Sequence, residues 1–271
     1  MNALKSFPLL LLVILLSLST STEAFAAATT ELTPSIQAAF DLTAATADGP
    51  TRIKMTNLYN DLSTLKMQYN NREEQIRTLH YNNEQTLIAV RKQIKEIDLE
   101  TVAQLEATVK SCKQHYQPLF DQYNALNKRI KIAKGLKNKT LNTVLQAQGD
   151  AMKILVQLAR KEISDRQNQL NAAKQTRTRK ITYARKTLSG IDSPQVSIKS
   201  NKSVVTSLNK RISADWSDFK AAIRKQNLTL TTQSLSSLVS GYRQIATHKQ
   251  KIIELEQKIS AVIANTRKQI I

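Results

Sequence analysis

The sequence is poor in the residues that make turns and compact cores. Its 271 residues include only five glycines, five prolines and one tryptophan, and aromatic residues make up 5% of the chain. A globular domain turns often, and its turns favour Gly, Pro, Asn and Asp. Long stretches without a breaker, rich in Gln, Lys, Leu, Ala and Ile, instead indicate very long helices. We therefore predict an all-α protein: an elongated antiparallel bundle or coiled coil of about three long helices.

Long apolar runs are also missing, apart from a short one at the start. Lys5 precedes the unbroken apolar run from Leu9 to Leu16, and Ala24-Phe25-Ala26 has the small-x-small pattern of a cleavage site. The run is shorter than the roughly 20 residues that a membrane-spanning helix needs. We therefore predict a signal peptide over residues 1–26, cleaved near Ala26, rather than an uncleaved anchor. The mature protein is expected to be secreted, and to be extracellular or associated with a bacterial cell wall.

Cysteine is almost absent, which excludes an intramolecular disulfide. Cys112 is the only cysteine in the chain. An exported protein without disulfides fits a bacterial envelope better than an animal secretory route. Cys112 falls on an apolar helical line, so we interpret it as a small buried residue. A disulfide-linked dimer or a reactive thiol is the alternative.

No catalytic or metal-binding constellation is present. The sequence has no Gly-rich phosphate loop, no GxSxG and no CxxC. The histidines are far apart in sequence and none forms a metal-spaced pair: His80, His115 and His248. We interpret the acidic pairs Glu73-Glu74 and Glu254/Glu256 as surface ion-pair formers on helices. We therefore expect no enzymatic activity, no cofactor and no metal site.

The strongest periodic signal is a heptad line in the middle of the chain. Its apolar residues alternate in steps of four and three, the spacing that keeps one side of a helix against a partner helix. The line consists of Leu105, Val109, Cys112, Tyr116, Leu119, Tyr123, Leu126, Ile130 and Ala133. A similar line continues through Leu141, Leu145, Met152, Leu155, Ala159, Ile163, Leu170, Ala173, Ile181, Ala184 and Leu188.

The position of the first chain reversal stays open between two sites. Pro118 lies within the heptad line, and a proline in a helix interior costs about 3 kcal/mol or more. The helix either kinks there and continues, or reverses at 115–118. Reversal would give nearly equal arms of residues 51–115, 118–189 and 196–268, which could cover one another's seams, and this slightly favours reversal. The competing turn is Gly135 to Thr140, where Gly135 ends one helix and Thr140 caps the next.

The remaining boundaries are predicted from local signals. We read residues 27–50 as a flexible leader containing one short helix from Pro34 to Ala45, with Thr33 as its cap. The long-helix domain covers residues 51–268, with a stutter through Thr101 that locally unwinds the supercoil. Breaks are expected at 189–200, the clearest loop, and near 227–232. An earlier apolar line runs from Leu58 to Ile97. Asn83 interrupts it and is expected to fix the register of this helix against a partner helix.

Two segments resemble a known group of proteins. The run LKNKTLNTVLQAQGDAMKILVQLAR (Leu136 to Arg160), with YQPLFDQYNALNKRI before it, resembles uncharacterised exported helical proteins of Gram-positive bacilli. The resemblance implies an exported, helical, non-enzymatic protein. It transfers no functional residue, because these segments carry no catalytic motif.

The net charge of +19 is concentrated in two clusters that contain no acidic residue. Residues 101–200 hold nineteen Lys and Arg against six Asp and Glu. The first cluster is Lys128, Arg129, Lys131, Lys134, Lys137 and Lys139; the second is Lys174, Arg177, Arg179, Lys180, Arg185 and Lys186. Such clusters are typical either of a solvated face or of a polyanion-binding surface. They contain almost no aromatic residues for base stacking, and the export signal argues against sequence-specific binding of nucleic acid.

These observations support two functional hypotheses. In the first, a non-enzymatic envelope protein binds anionic cell-wall polymer or a lipid surface through its basic helical faces. In the second, the helices form an adaptor or regulator that docks an envelope enzyme, another protein partner or a second copy through their apolar seams.

Overall fold

The computed structural model describes residues 30–270, and every statement below is confined to them. The α-helices, in chain order, are α1 (Pro34–Ala45), α2 (Gly49–Glu96), α3 (Leu99–Gly135), α4 (Lys139–Leu188), α5 (Asp192–Arg224) and α6 (Leu228–Ile270). These residues contain no strand, so the predicted all-α class is confirmed. The predicted number of three long helices is wrong, because α2, α3, α4 and α6 have 48, 37, 50 and 43 residues and α5 has 33. The predicted signal peptide, residues 1–26, lies outside the described residues.

The chain forms two compact units that share three helices. Unit 1 comprises the described residues up to Lys66 together with Val204–Ile245. Unit 2 comprises Met67–Ser203 together with the described residues from Ala246 onward. Helices α2, α5 and α6 each contribute one part to each unit. None of the helices between residues 30 and 270 is long and apolar enough to cross a membrane.

Helix α1 begins as the sequence predicts. Thr33 is its N-cap, and the Thr33 side chain accepts a hydrogen bond from the Ile36 backbone N–H at 3.4 Å. Pro34 occupies the first turn, where its missing N–H removes no helical hydrogen bond. The predicted range from Pro34 to Ala45 is therefore confirmed.

The same helix is packed into unit 1, which corrects the prediction of a flexible leader. Phe40 is 2% exposed and stacks on Tyr59, with ring centroids 4.4 Å apart. The buried Thr43 hydroxyl donates to the Ile223 carbonyl at 3.1 Å. Burial of an aromatic ring and a satisfied buried hydroxyl anchor residues 34–45 to the helical core.

The predicted stutter falls beside a complete break between α2 and α3. Helix α2 ends at Glu96 and α3 begins at Leu99, and Asp98 between them has a φ of 47°. Asp is one of the few residues that enter the left-handed region at small cost. A continuous helix from residue 51 to the middle of the chain is therefore not formed.

Pro118 does not reverse the chain, so the favoured reversal at 115–118 is wrong. It lies inside α3, which continues to Gly135. Both Pro118 and Gln114, whose carbonyl loses its helical partner, are exposed. The proline therefore lies on the exposed face of α3, where a missing helical hydrogen bond is least costly, and the heptad line keeps its phase across it.

The first reversal is the competing turn between α3 and α4. Gly135 ends α3, as predicted, but Asn138 rather than Thr140 caps α4. The Asn138 side chain accepts from the Leu141 N–H at 3.1 Å. Lys137, not the glycine, has the positive φ of 57°.

The predicted loop at 189–200 is wrong. A short 3-10 helix at Ser189–Ile191 joins α4 to α5, which already begins at Asp192. Pro194 is the third residue of α5, where its missing N–H has no intrahelical acceptor. The predicted break near 227–232 is narrower and earlier: Lys225 to Asn227 separate α5 from α6, and Asn227 caps α6 through the Leu230 N–H at 2.9 Å.

Helices α3 and α4 form an antiparallel hairpin within unit 2. The Lys174 ammonium contacts the Glu106 carboxylate at 2.7 Å, and further along the Tyr116 hydroxyl donates to Glu162 at 2.5 Å. Near the turn, the Ile130 side chain lies against Gly149, where a Cβ would come within 3.0 Å of it. Every residue of the predicted heptad line on α3 is buried or half-buried. On α4, however, Leu141 and Leu155 are exposed, and Val156 and Gly149 are buried instead.

Candidate functional site

The basic cluster around the α3–α4 turn is fully exposed. We call it the tip cluster; it consists of Lys128, Arg129, Lys131, Lys134, Lys137 and Lys139. No acidic residue occurs between Asp121 and Asp150 in the sequence. None of the six side chains forms an ion pair or hydrogen bond with another residue in the range 30–270. The charges of this cluster are therefore not neutralised locally, and they create a positive field at the end of the hairpin.

The second basic cluster is divided by the fold, and half of it is engaged within unit 2. We call it the junction cluster. Arg177 donates from Nε to the Ile97 carbonyl at 2.8 Å and from Nη2 to the Lys95 carbonyl at 3.0 Å. Lys180 contacts the Asp98 carboxylate at 2.8 Å. Arg177 thus satisfies two carbonyls at the C-terminal end of α2, where cations are also favoured by the helix dipole, and Lys180 forms an ion pair with Asp98 just beyond that end.

Lys174 belongs to the same engaged group through its ion pair with Glu106. Arg179, Arg185 and Lys186 are exposed and have no ion-pair partner in the described part of the chain. The sequence places all six cations of the junction cluster on one helix. It does not reveal that three of them stabilise the α2–α3 junction, because their partners lie 68 to 82 residues away.

A buried polar network in unit 2 joins α2 to α6. Glu256 is 1% exposed, so its interpretation as a surface ion-pair former is wrong. Its carboxylate lies 2.9 Å from His80 Nδ1 and accepts from Asn83 Nδ2 at 2.8 Å. Ser260 donates to Asn83 Oδ1 at 2.6 Å. Asn83, expected to fix register, is thus tied to α6 by hydrogen bonds on both sides of its amide.

The network shifts the pKa values of both titratable partners. Burial favours the neutral carboxyl of Glu256, but hydrogen bonds from His80 and Asn83 outweigh it and hold the pKa below its ordinary value. The hydrogen bond to Glu256 raises the pKa of His80, against the opposing effect of burial. Glu84 also contacts His80, at 3.3 Å from Nε2, and favours the charged imidazole.

A second buried charge lies one to two turns away along α6. Lys249 is 1% exposed, and its ammonium lies 3.3 Å from the centroid of the Tyr69 ring. It donates to the Tyr69 carbonyl at 3.3 Å and contacts the Glu73 carboxylate. Burial lowers the pKa of Lys249, and the contact with Glu73 opposes that shift. This arrangement compensates a buried charge; its members face one another, so it offers no open position to a substrate.

A groove on the α3–α4 hairpin contains the only cysteine. It has a volume of about 530 Å³, and Cys112, His115, Tyr116 and Glu162 are among its lining residues. Cys112 is half-buried on the helix seam, and the Tyr116 hydroxyl is already bonded to Glu162. No group of three His, Cys, Asp or Glu residues within 30–270 could hold a metal ion.

Comparison with known proteins yields no match: no family model, no curated protein and no solved structure is similar to this chain.

Proposed function

We propose that this protein is a non-enzymatic, exported bacterial envelope protein that binds anionic cell-wall polymer or an anionic lipid surface through the tip cluster. The observation that carries the proposal is the contrast between the two basic clusters. Half of the junction cluster is engaged with helix ends and carboxylates of unit 2. The six side chains of the tip cluster are exposed and form no ion pair or hydrogen bond within residues 30–270, so they are available to an external anion.

The helical seams serve as the scaffold in this proposal. The heptad spacing from Leu105 to Ala133 and the antiparallel contacts of α3 and α4 support a coiled-coil hairpin with the tip cluster at its end. The signal-peptide pattern of residues 1–26 supports export, which places the cluster where wall polymers and lipid headgroups are available. A scaffold that only presents charge needs no catalytic group.

The proposal is tested by binding of residues 27–271 to purified cell-wall sacculi, with and without their anionic polymers, over a salt series. Binding should require the polymers and should fall steeply between low and moderate salt, because exposed charges are screened over about 8–10 Å. Replacing Lys128, Lys131 and Lys134 with Gln should weaken binding at low salt by about tenfold or more.

A matched variant controls for the loss of net charge. Lys110, Lys251 and Lys258 are exposed lysines outside the tip cluster, and replacing them with Gln removes the same number of charges. This variant should bind nearly as the unmodified protein does. Equal weakening by both variants, or binding that does not respond to salt, would contradict a site at the tip cluster.

A second candidate function is a protein-interaction module, an adaptor or regulator of an envelope enzyme. The observation that favours it is the exposure of Leu141 and Leu155, which have the heptad phase of a seam but face away from α3. A partner helix docked there would remain bound in high-salt pull-down experiments. It would also remain bound when Lys128, Arg129 and Lys131 are replaced by Glu. Loss of the partner under either condition would argue against the adaptor.

A further inference from the structure

The end of the α3–α4 hairpin exposes several large apolar side chains beside the tip cluster. We call them the apolar strip: Ile132 at the end of α3, Leu136 in the turn, and Leu141, Val144, Leu155 and Leu158 on α4. Their exposed fractions range from 45% to 72%. Isolated apolar residues on a protein surface are ordinary, but a contiguous group near one end of a helical hairpin marks an interaction site.

The contacts between the helices indicate on which side of the hairpin each residue lies. Glu106 follows the seam residue Leu105, Lys174 follows the seam residue Ala173, and the two charged groups meet at 2.7 Å. Residues one position after a seam residue therefore share one side of the antiparallel pair. Because each residue turns the helix by about 100°, residues one position before a seam residue lie on the opposite side.

The apolar strip and some of the lysines separate by this rule. Ile132 precedes the buried Ala133, Leu155 precedes the buried Val156, and Leu158 precedes the buried Ala159. Val144 and Leu141 likewise precede the half-buried residues Leu145 and Asn142.

Some basic residues follow the seam instead: Lys131 comes after Ile130, Lys134 after Ala133 and Lys153 after Met152. The acidic Asp150, after the buried Gly149, lies on that side too. Arg129 precedes Ile130 and borders the apolar side. The apolar strip thus lies on one side of the hairpin, and these three lysines lie on the other.

This combination of surfaces distinguishes among the anionic partners of the proposed function. A wall polymer offers phosphate charge but no apolar phase to cover leucine and isoleucine side chains. A second copy would bring another tip cluster of the same sign close to the first. An anionic bilayer offers both the negative surface and the acyl boundary that an amphipathic surface element uses.

We propose that the α3–α4 hairpin end is an interfacial lipid-binding element. The apolar strip enters the headgroup–acyl boundary of an anionic membrane surface, Arg129 beside it contacts the headgroups, and the other basic side chains of the tip cluster attract the anionic surface over a Debye length. The inference rests on the proposed function, since it names the lipid surface as the partner of the tip cluster.

The test measures co-sedimentation of residues 27–271 with vesicles of phosphatidylcholine alone or containing about 30% phosphatidylglycerol. We expect binding to the anionic vesicles, with little binding to the neutral ones. Replacing Leu141 and Leu155 with Gln should weaken binding about tenfold or more, since two partly buried leucines are lost from the boundary. Each Lys→Gln change in the tip cluster should weaken it by about fivefold.

The matched control replaces exposed apolar residues elsewhere in unit 2. Ile88 and Val196 are 63% and 70% exposed, and their replacement with Gln should leave vesicle binding unchanged. A direct readout is Val144→Trp, whose fluorescence should shift to the blue with anionic vesicles only. Trp216 is buried and should give a constant background.

The outcomes separate this inference from the proposed function. Salt-sensitive binding to sacculi without binding to anionic vesicles would overturn the lipid element while leaving the wall polymer as the partner. Vesicle binding that the Leu141→Gln and Leu155→Gln changes do not weaken would overturn the role of the apolar strip. A solution dimer that these same changes dissociate would also overturn it, because the strip would then be covered by a second copy.

Discussion

At the scale of single residues, the described chain buries two charged side chains in unit 2 and compensates both. Glu256 accepts hydrogen bonds from Asn83 and faces His80, and Lys249 lies over the Tyr69 ring and contacts Glu73. A buried charge without partners is strongly unfavourable, so the loss of one partner costs more than the pair itself contributes. The network around Glu256 also links α2 to α6 through the side chains of His80, Asn83 and Ser260.

The first prediction concerns Glu256→Gln and pH. The pKa of Glu256 is lower in the folded state than its ordinary value of 4.5. The carboxylate therefore contributes to stability above pH 4.5, and this contribution is lost as pH falls through the folded-state pKa. The pKa of His80 is raised, so its contribution is present below its ordinary value of 6.5 and is lost as pH rises through the folded value. Glu256 and His80 therefore both contribute fully to folding stability between about pH 4.5 and 6.5.

We expect Glu256→Gln to lower the free energy of unfolding by about 1–2 kcal/mol near pH 5.5. The effect is smaller than for a fully buried pair, because His80 is nearly half-exposed and solvent screens its charge. Urea unfolding followed by circular dichroism over pH 4–8 would measure it. Glu254→Gln is the matched control, because Glu254 is exposed and contacts only Gln250 at 3.3 Å. A variant curve parallel to that of the unmodified protein would show that the Glu256 pair does not set the pH dependence.

At the scale of helices, side-chain hydrogen bonds satisfy several of the described helix ends, whereas Pro118 does not end α3. Asn138 and Asn227 cap α4 and α6, and Arg52 donates to three carbonyls at the C-terminal end of α1. The prolines in the long helices have different positions: Pro118 lies in the interior of α3, whereas Pro50 and Pro194 lie in the first turns of α2 and α5.

The second prediction uses that difference. Pro118→Ala should raise the free energy of unfolding by about 1–3 kcal/mol, since it restores a helical hydrogen bond to the Gln114 carbonyl and removes a steric clash. Pro194→Ala, the control, should change it by about 0.5 kcal/mol or less, because no helical bond is missing in a first turn. Urea unfolding of both variants provides the comparison. Destabilisation by Pro118→Ala would place Pro118 at a turn instead of a helix interior.

Several features of the helices are predictable from the sequence, whereas two of the predicted breaks are not resolved by it. The helix from Pro34 to Ala45, its cap and the heptad line on α3 depend on local spacing, which the sequence displays directly. The turn at Gly135 was recognised as one of two options, since a single proline penalty is comparable with the seam packing that opposes it. The prediction of a loop at 189–200 is wrong because Pro194 does not break a helix there. It occupies the first turn of α5, where a proline is tolerated.

At the scale of the whole chain, the dominant property is an excess of positive charge. The net charge is +19, and most of it lies between residues 101 and 271. Like charges repel one another in the compact state and less in the unfolded chain, so the charge opposes folding while it favours solubility and binding of anions. The described surface ion pairs are mostly exposed and compensate this repulsion only weakly.

The third prediction is that salt stabilises the protein while it weakens binding. Raising NaCl from about 20 to 200 mM should raise the melting temperature by about 2–4 °C, equivalent to about 1 kcal/mol, through screening of repulsion. Scanning calorimetry or thermal circular dichroism would measure the shift. The variant Lys128→Gln, Lys131→Gln, Lys134→Gln should show a smaller increase. A melting temperature that falls with salt would mean that attractive ion pairs outweigh the repulsion.

The sequence by itself determined the all-α class, the short first helix, the helical seam and the two basic clusters, because each depends on residues close together along the chain. Only the tertiary structure decided which cations remain available. Arg177 contacts carbonyls at the end of α2 and Lys180 contacts Asp98, because α4 packs back on the α2–α3 junction, while the six cations of the tip cluster form no ion pair within residues 30–270. Burial of Glu256 against His80 and Asn83 likewise required α6 to pack beside α2, across 173 to 176 residues of sequence. Pairings over such separations depend on which helices pack together, and periodicity within one helix carries no information about its partner.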